Sequence, residues 1–388
     1  MIILMASADN PYINNIGGKH VHLLLLEKSL RKLGVNVETK YYQMSSLKRK
    51  LLMIFKSALA VYSKRERIIS SIEIIRDFYK KQDYSNFDIV NPHDTLSASA
   101  INHRKIVLTI HGYFPRELLD YSNFSENTKE KIFNFAVKYE KIGVEKAKHI
   151  IAVDTRIKNY LVKELGVDKK KITVIYNAVD IDNFSPVNES EKKRLRRYLG
   201  LETDKYIVLI PRRFVPKNGV QYAAEAVKII NASLVGKQLF FIFSGRGLLE
   251  NELRSRLSKF SNVIITRLSH NEIVKYYKAS DIVLIPSITS NDVEEATSLS
   301  MLEGMSTGKI VICTNIGGMK EVIKDGINGF LIPQKSPEAI AEKIEYVINH
   351  YHELEEIRRN ARGYVISHHS PEEHAEKFLE VYKKIFRI

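Results

Sequence analysis

Two carboxylates eight residues apart open the chemical reading of this chain: Glu295 and Glu303, in the segment Glu295-Ala-Thr-Ser-Leu-Ser-Met-Leu-Glu303. A strand-like apolar run, Ile282–Pro286, precedes the segment after a loop, and the pattern from about Thr297 to Ser306 predicts a helix. Fully helical, such a spacing spans ~12 Å, comparable to the distance from the ribose to the hexose of a nucleotide sugar. Carboxylates accept paired hydroxyls. The free N–H groups at a helix N-terminus lying between them suit a pyrophosphate. By spacing alone, a solvated helix glutamate and a helix-capping acid explain the pair equally well.

The elements around the pair narrow the reading. The chain has 388 residues, 44% hydrophobic, enough for two domains with substantial cores. One cysteine, Cys313, excludes a disulfide framework and fits a reducing compartment. The chain opens on a strand pattern rather than a signal peptide, and no apolar run approaches the ~20 residues of a membrane span. The expected protein is soluble or peripheral and cytoplasmic, at most on the inner face of a membrane. Its net charge of +15, leaning to the first half, suits an anionic partner or a lysine-rich solvated surface.

Strand-like runs alternate with helical patterns, which predicts parallel α/β domains. The first half carries strands at Ile2–Met5, Val35–Tyr41, Ile89–Asn91, Ile106–Ile110, Ile150–Val153 and Ile172–Tyr176. The second carries Ile207–Ile210, Leu239–Phe243, Val263–Thr266, Ile282–Pro286, Ile310–Cys313 and Gly329–Ile332. Helices are expected at Gly18–Leu33, Lys129–Ala147 and Pro371–Ile388. The expected division is 1–184 and 185–370, with 371–388 packing back on the first domain. Two doubly wound parallel-sheet domains of this kind bind ligands at the carboxyl ends of their strands, facing a central cleft.

Downstream of the pair come Gly308-Lys-Ile-Val-Ile-Cys-Thr, Gly317-Gly318-Met-Lys-Glu321 and Asp325-Gly326-Ile-Asn-Gly329-Phe-Leu-Ile-Pro333. In order and separation these resemble the E-x7-E, G-x-P-V-V, G-G-x-x-E and D-G-x-N-G-x-L series of the family 4 retaining glycosyltransferases, enzymes of the two-Rossmann-domain (GT-B) fold. Lys309-Ile310 departs from the Lys/Arg-Pro common there. Pro211-Arg212-Arg213-Phe-Val-Pro-Lys217-Asn218-Gly219 resembles the family's G-R-L-x-x-x-K-G segment, whose Arg and Lys neutralise the departing phosphates. Anchored on Gly219 the arginine is Arg213; anchored on Lys217 it is Arg212. The reading takes Arg213 with Lys217.

The resemblance implies that Glu303 binds ribose hydroxyls, and that Glu295 with Ala296, Thr297, Ser298 and Leu299 binds sugar hydroxyls and phosphate. Ser244-Gly245-Arg246-Gly247 is similar to the family's G-x-G turn, and Arg267 and Leu268 fall where the family lines its base pocket. Gly17-Gly18, before a helix, resembles the glycine-rich loop near donor and acceptor. Thr109-Ile-His111-Gly112 resembles the strand-ending histidine that faces the donor sugar. Asn91-Pro-His93-Asp94 ends a strand and is expected near the acceptor. Asp180-Ile-Asp182 has the Asp-x-Asp spacing of a metal motif, but its context resembles the family's N-G-V-D-x-x-x-F turn, and no metal is expected.

Seven basic residues from Lys48 to Arg67 interleave with apolar ones, which suits an anionic membrane surface or an ordinary core-facing helix. The implied activity is transfer of a hexose from a UDP- or GDP-sugar to a glycan or lipid-linked acceptor, in polysaccharide or glycolipid synthesis, with no nucleic-acid partner. A GT-B-fold epimerase and a non-catalytic basic binding protein are the rival readings.

Overall fold

The alternating apolar runs become twelve strands in the computed structural model, which describes residues 1–12, 17–43, 64–119, 124–290 and 293–387. The chain divides into two compact units, Met1–Tyr176 with Ala375–Ile388, and Asn177–His374. The division follows Tyr176 rather than 184 because Val179 and Phe184 pack into the second unit's core.

In the first unit, β1 (Ile2–Ser7), β2 (Asn36–Tyr41) and β3 (Ile89–Pro92) form a parallel sheet in the order β2-β1-β3. A second parallel sheet contains β4 (Val107–Ile110), β5 (His149–Ala152) and β6 (Ile172–Val174) in sequence order. A single parallel bridge, Val90 to Ile106, links the two. Most of these strands are apolar on both faces because both are covered. Ile3, Met5 and Ile89 pack with Leu23, Leu26 and Leu30 of the helix Gly18–Lys32.

The same core takes Ala375, Phe378, Val381, Tyr382 and Ile385 from the last helix, Pro371–Phe386. Their spacing puts one apolar stripe on the sheet. The Tyr382 hydroxyl donates to Asn91 Oδ1 at 2.6 Å, so the helix is also tied to the end of β3.

The second unit is one six-stranded parallel sheet. Its strands are β7 (Tyr206–Pro211), β8 (Leu239–Ser244), β9 (Val263–Thr266), β10 (Ile282–Ile285), β11 (Ile310–Thr314) and β12 (Phe330–Ile332). Their order is β12-β11-β10-β7-β8-β9. Alternate residues feed a core on each face: Val208, Ile210 and Phe241 on one, Ile207, Leu209 and Ile242 on the other. Asp281, buried just before β10, meets Lys192 Nζ at 2.6 Å, Arg196 Nη2 at 2.5 Å and the Ile207 amide at 2.7 Å. Burial alone would raise its pKa; Lys192 and Arg196 bring it below the ordinary carboxylate value.

The basic segment 47–67 lies mostly outside the described residues, and its proposed membrane face with it. Among the described residues no helix is long and apolar enough to cross a membrane.

Phe378 is fully buried. Phe378→Ala should therefore lower the stability of the first unit by about 3–5 kcal/mol, read as an earlier denaturant midpoint for the full chain.

Candidate functional site

Strand order in the second unit reverses between β7 and β10, and ligands in open α/β sheets sit at such a point, beyond the strand carboxyl ends. Arg212 is the first residue after β7 and is buried. Its guanidinium meets Glu295 Oε2 at 2.9 Å, Ser287 Oγ at 2.8 Å, Asn218 Oδ1 at 2.9 Å and Ser298 Oγ at 3.1 Å. One side chain thus joins the loop after β7, the residues after β10 and the start of the helix Leu299–Ser306.

The Glu295 side chain is 21% exposed. Burial pushes its pKa up, but the Arg212 guanidinium, with Lys217 and Arg213 behind it, holds it below the ordinary value. The carboxylate is ionised and presented as an acceptor. Arg213 points to solvent, and its carbonyl accepts from Asn218 Nδ2 at 2.9 Å. Lys217 is half-buried, and its carbonyl accepts from the Ile288 amide at 2.8 Å. The arginine paired with Glu295 is thus Arg212, while Arg213, the one expected on the phosphate, is exposed.

Thr297 and Ser298 are buried at the helix entrance, and Ala296 and Leu299 are half-buried. Asn177 Nδ2 donates to the Thr297 carbonyl at 3.2 Å, and Ser300 Oγ donates to the Pro211 carbonyl at 3.1 Å. The first N–H groups of such a helix have no intrahelical partner. Inside it, Glu303 is 7% exposed. Burial pushes its pKa up to about 7, and hydrogen bonding with Tyr277 offsets only part of the rise.

Glycines make this packing possible. Gly317 has φ +53°, and a Cβ there would lie 1.9 Å from the Glu295 carbonyl oxygen. That oxygen accepts from the Gly318 amide at 3.0 Å. At Gly245 a Cβ would lie 2.0 Å from the Arg212 carbonyl oxygen, so the loop after β8 rests on the arginine's own backbone.

Arg267, 64% exposed, pairs with Glu250 at 2.7 Å, and Leu268 is half-buried beside it. In the first unit, Gly17 caps the helix Gly18–Lys32 and both glycines are exposed. His111 follows β4, half-buried, with Nε2 3.1 Å from His93 Nδ1. Asp94 is a helix cap: it accepts from the Ser97 and Ala8 amides, each at 2.7 Å. Asp180 accepts from the Asn183 amide at 3.0 Å, the bonding of a turn.

Sequence reasoning missed Ser287, Asn218 and Tyr277. Asn218 gave a faint signal as the extra residue before Gly219; Tyr277 falls in the Tyr276-Tyr-Lys-Ala-Ser-Asp281 segment that resembles the family's base-pocket lining, but with no role of its own, and nothing marks a serine after a strand.

The doubly wound parallel units and this strand-end site define a GT-B-fold glycosyltransferase. The model of Glycosyl transferases group 1 matches residues 191–364, and that of Glycosyltransferase Family 4 matches residues 16–183. Together they span most of the chain, which belongs to the group 1, family 4 glycosyltransferases. It is 28% identical over 277 residues to the UDP-Gal:alpha-D-GlcNAc-diphosphoundecaprenol alpha-1,3-galactosyltransferase of Escherichia coli, covering 68% of this chain and 67% of that protein. A solved glycosyltransferase from Rickettsia africae superposes with a TM-score of 0.70 at 23% identity, covering 99% of this chain and 98% of that one. An Anabaena protein in complex with UDP-glucose superposes with a TM-score of 0.71 at 18% identity, covering 98% and 99%.

Two predictions follow from the geometry. Gly317→Ala should displace the Glu295 loop, destabilising the chain by more than ~1 kcal/mol and weakening donor binding by calorimetry. For Glu303, the folded chain holds the proton to about pH 7, against 4.5 for the ordinary group. Its stabilising contribution is full below pH 4.5 and is lost as pH rises to 7. Glu303→Gln does not titrate, so its Tm relative to the parent should climb across that window and then level, at about 2–4 °C per kcal/mol.

Proposed function

We propose that the chain transfers a hexose, with retention at the anomeric carbon, from a UDP-sugar to a lipid-linked or glycan acceptor in polysaccharide or glycolipid synthesis; a GDP-sugar is the alternative donor. The observation that carries the proposal is the ion pair of buried Arg212 with half-buried Glu295 at the switch between β7 and β10, beside the N-terminus of the helix that carries Glu303. The name of the E. coli relative, which specifies UDP-Gal and a diphosphoundecaprenol acceptor, supports the donor and acceptor classes.

In this reading ionised Glu303 accepts both ribose hydroxyls, and the amides following Glu295 bind the pyrophosphate. Glu295 accepts hydroxyls of the sugar. Of the two arginines we assign Arg212, with Lys217, to the phosphate; its fixed position beside Glu295 and the start of the helix Leu299–Ser306 supports this reading. Arg213 adds longer-range charge. The family resemblance gives His111 to the donor sugar, and Gly17, Gly18 and Gly245 to close approach of backbone.

Leaving-group charge grows on the diphosphate as the glycosidic bond breaks. Fixed cations and a helix N-terminus stabilise it without reorganising, so the reaction requires no metal. The donor phosphate takes the acceptor proton on the same face, and no side chain is assigned as a covalent nucleophile. A lipid-linked acceptor would bring the enzyme to the inner face of a membrane.

The donor is found by thermal shift against UDP-, GDP- and ADP-sugars, since a ligand of the folded state raises its stability. With that donor, Arg212→Ala and Lys217→Ala should each lower kcat by roughly 10²–10³-fold, Arg213→Ala by only a few-fold, and EDTA should not lower the rate. No shift with any sugar nucleotide, or equal losses in both arginine variants, would overturn the assignment.

A further inference from the structure

The carboxyl ends of the first unit's strands bring together three imidazoles. His93 follows β3 directly, His111 follows β4 directly, and His22 lies in the first turns of the helix after the β1 loop. The order β2-β1-β3 places this cluster by the first unit's own switch point. Ring centroids lie 5.3 Å apart for His22 and His93, 4.5 Å for His22 and His111, and 5.4 Å for His93 and His111. One ring nitrogen of each can be chosen so that all three lie within 4.8 Å of one another.

His93 Nδ1 and His111 Nε2 are 3.1 Å apart, a hydrogen-bonding distance. It is also close to the ~3.3 Å between two nitrogens that each sit ~2.05 Å from one tetrahedral metal ion. His22 and His93 are each 1% exposed, while His111 is half-buried and keeps one side of the cluster open. Phe378 packs edge-on against His22 and backs it with an apolar wall. Three neutral imidazoles suit zinc, copper, nickel or cobalt rather than magnesium or calcium, which prefer oxygen.

We propose that His22, His93 and His111 form a binding site for a zinc-class divalent cation, and that its occupancy inhibits the enzyme by engaging His111. Each ring gives one nitrogen lone pair to the ion, and a solvent molecule completes the tetrahedron. The proton shared between His93 and His111 shifts to the other nitrogen of its ring; nothing is oxidised or reduced. His111, once a ligand, no longer presents that nitrogen to a sugar. The inhibitory half of the proposal rests on the transferase reading above; the binding half does not.

The test uses the full-length protein stripped with EDTA and titrated with Co²⁺, then with Zn²⁺ in competition. The expected result is one equivalent of Co²⁺ with the intense visible bands of a tetrahedral site, displaced by Zn²⁺, and a higher Tm with Zn²⁺ but not with Mg²⁺. His22→Gln and His93→Gln, checked for folding by circular dichroism, should each weaken Zn²⁺ binding by more than ~100-fold, beyond the effect of losing an outer-shell partner. Absence of the tetrahedral bands, or equal Zn²⁺ affinity in folded His→Gln variants, overturns the site. A bound ion that leaves the transfer rate unchanged overturns the inhibition alone, and failure of all sugar nucleotides to react would instead remove the transferase reading.

Discussion

The second unit's site depends on the pairing of Arg212 with Glu295. Burying a guanidinium and a carboxylate costs several kcal/mol per ion unless geometry and further hydrogen bonds compensate. Here Ser287, Asn218 and Ser298 supply those bonds. Each comes from a different segment, so satisfying one charge fixes three loops at once. The close contacts at Gly245 and Gly317 follow: backbone must approach where any larger residue would force the loops apart.

The same enclosure drives the two glutamates in opposite directions. Glu295 faces cations and is held ionised. Glu303 is buried and hydrogen-bonded with Tyr277, and burial lifts it to about 7. Identical side chains on one segment thus become a fixed acceptor and a group that can be neutral until a ligand arrives. A pair of carboxyls with separated pKa values is a recurring mark of functional sites.

Much of this was legible in the sequence because its cause is local. The strands were readable since parallel strands are covered on both faces and so run apolar for most of their length, as over residues 239–243 of β8. Gly317-Gly318 was readable through its motif, and at Gly317 the left-handed backbone explains the glycine. The choice between Arg212 and Arg213 was not readable, since neighbouring residues of one type differ only in the direction they leave the chain. The histidine cluster was equally hidden: His22, His93 and His111 come from three elements that meet only when β1, β3 and β4 are placed side by side. Asp94, expected near an acceptor, is occupied by capping, which sequence shows only once the helix start is known.

The most direct measurement is a double-mutant cycle between Arg212 and Glu295, using Arg212→Met, Glu295→Gln and the combination, with calorimetric affinity for the donor sugar nucleotide as the readout. If the ion pair organises the site, the two substitutions will be coupled by about 0.5–3 kcal/mol, the double variant losing less affinity than the sum of the singles. Losses that simply add, or donor affinity unchanged in all three variants, would contradict the account.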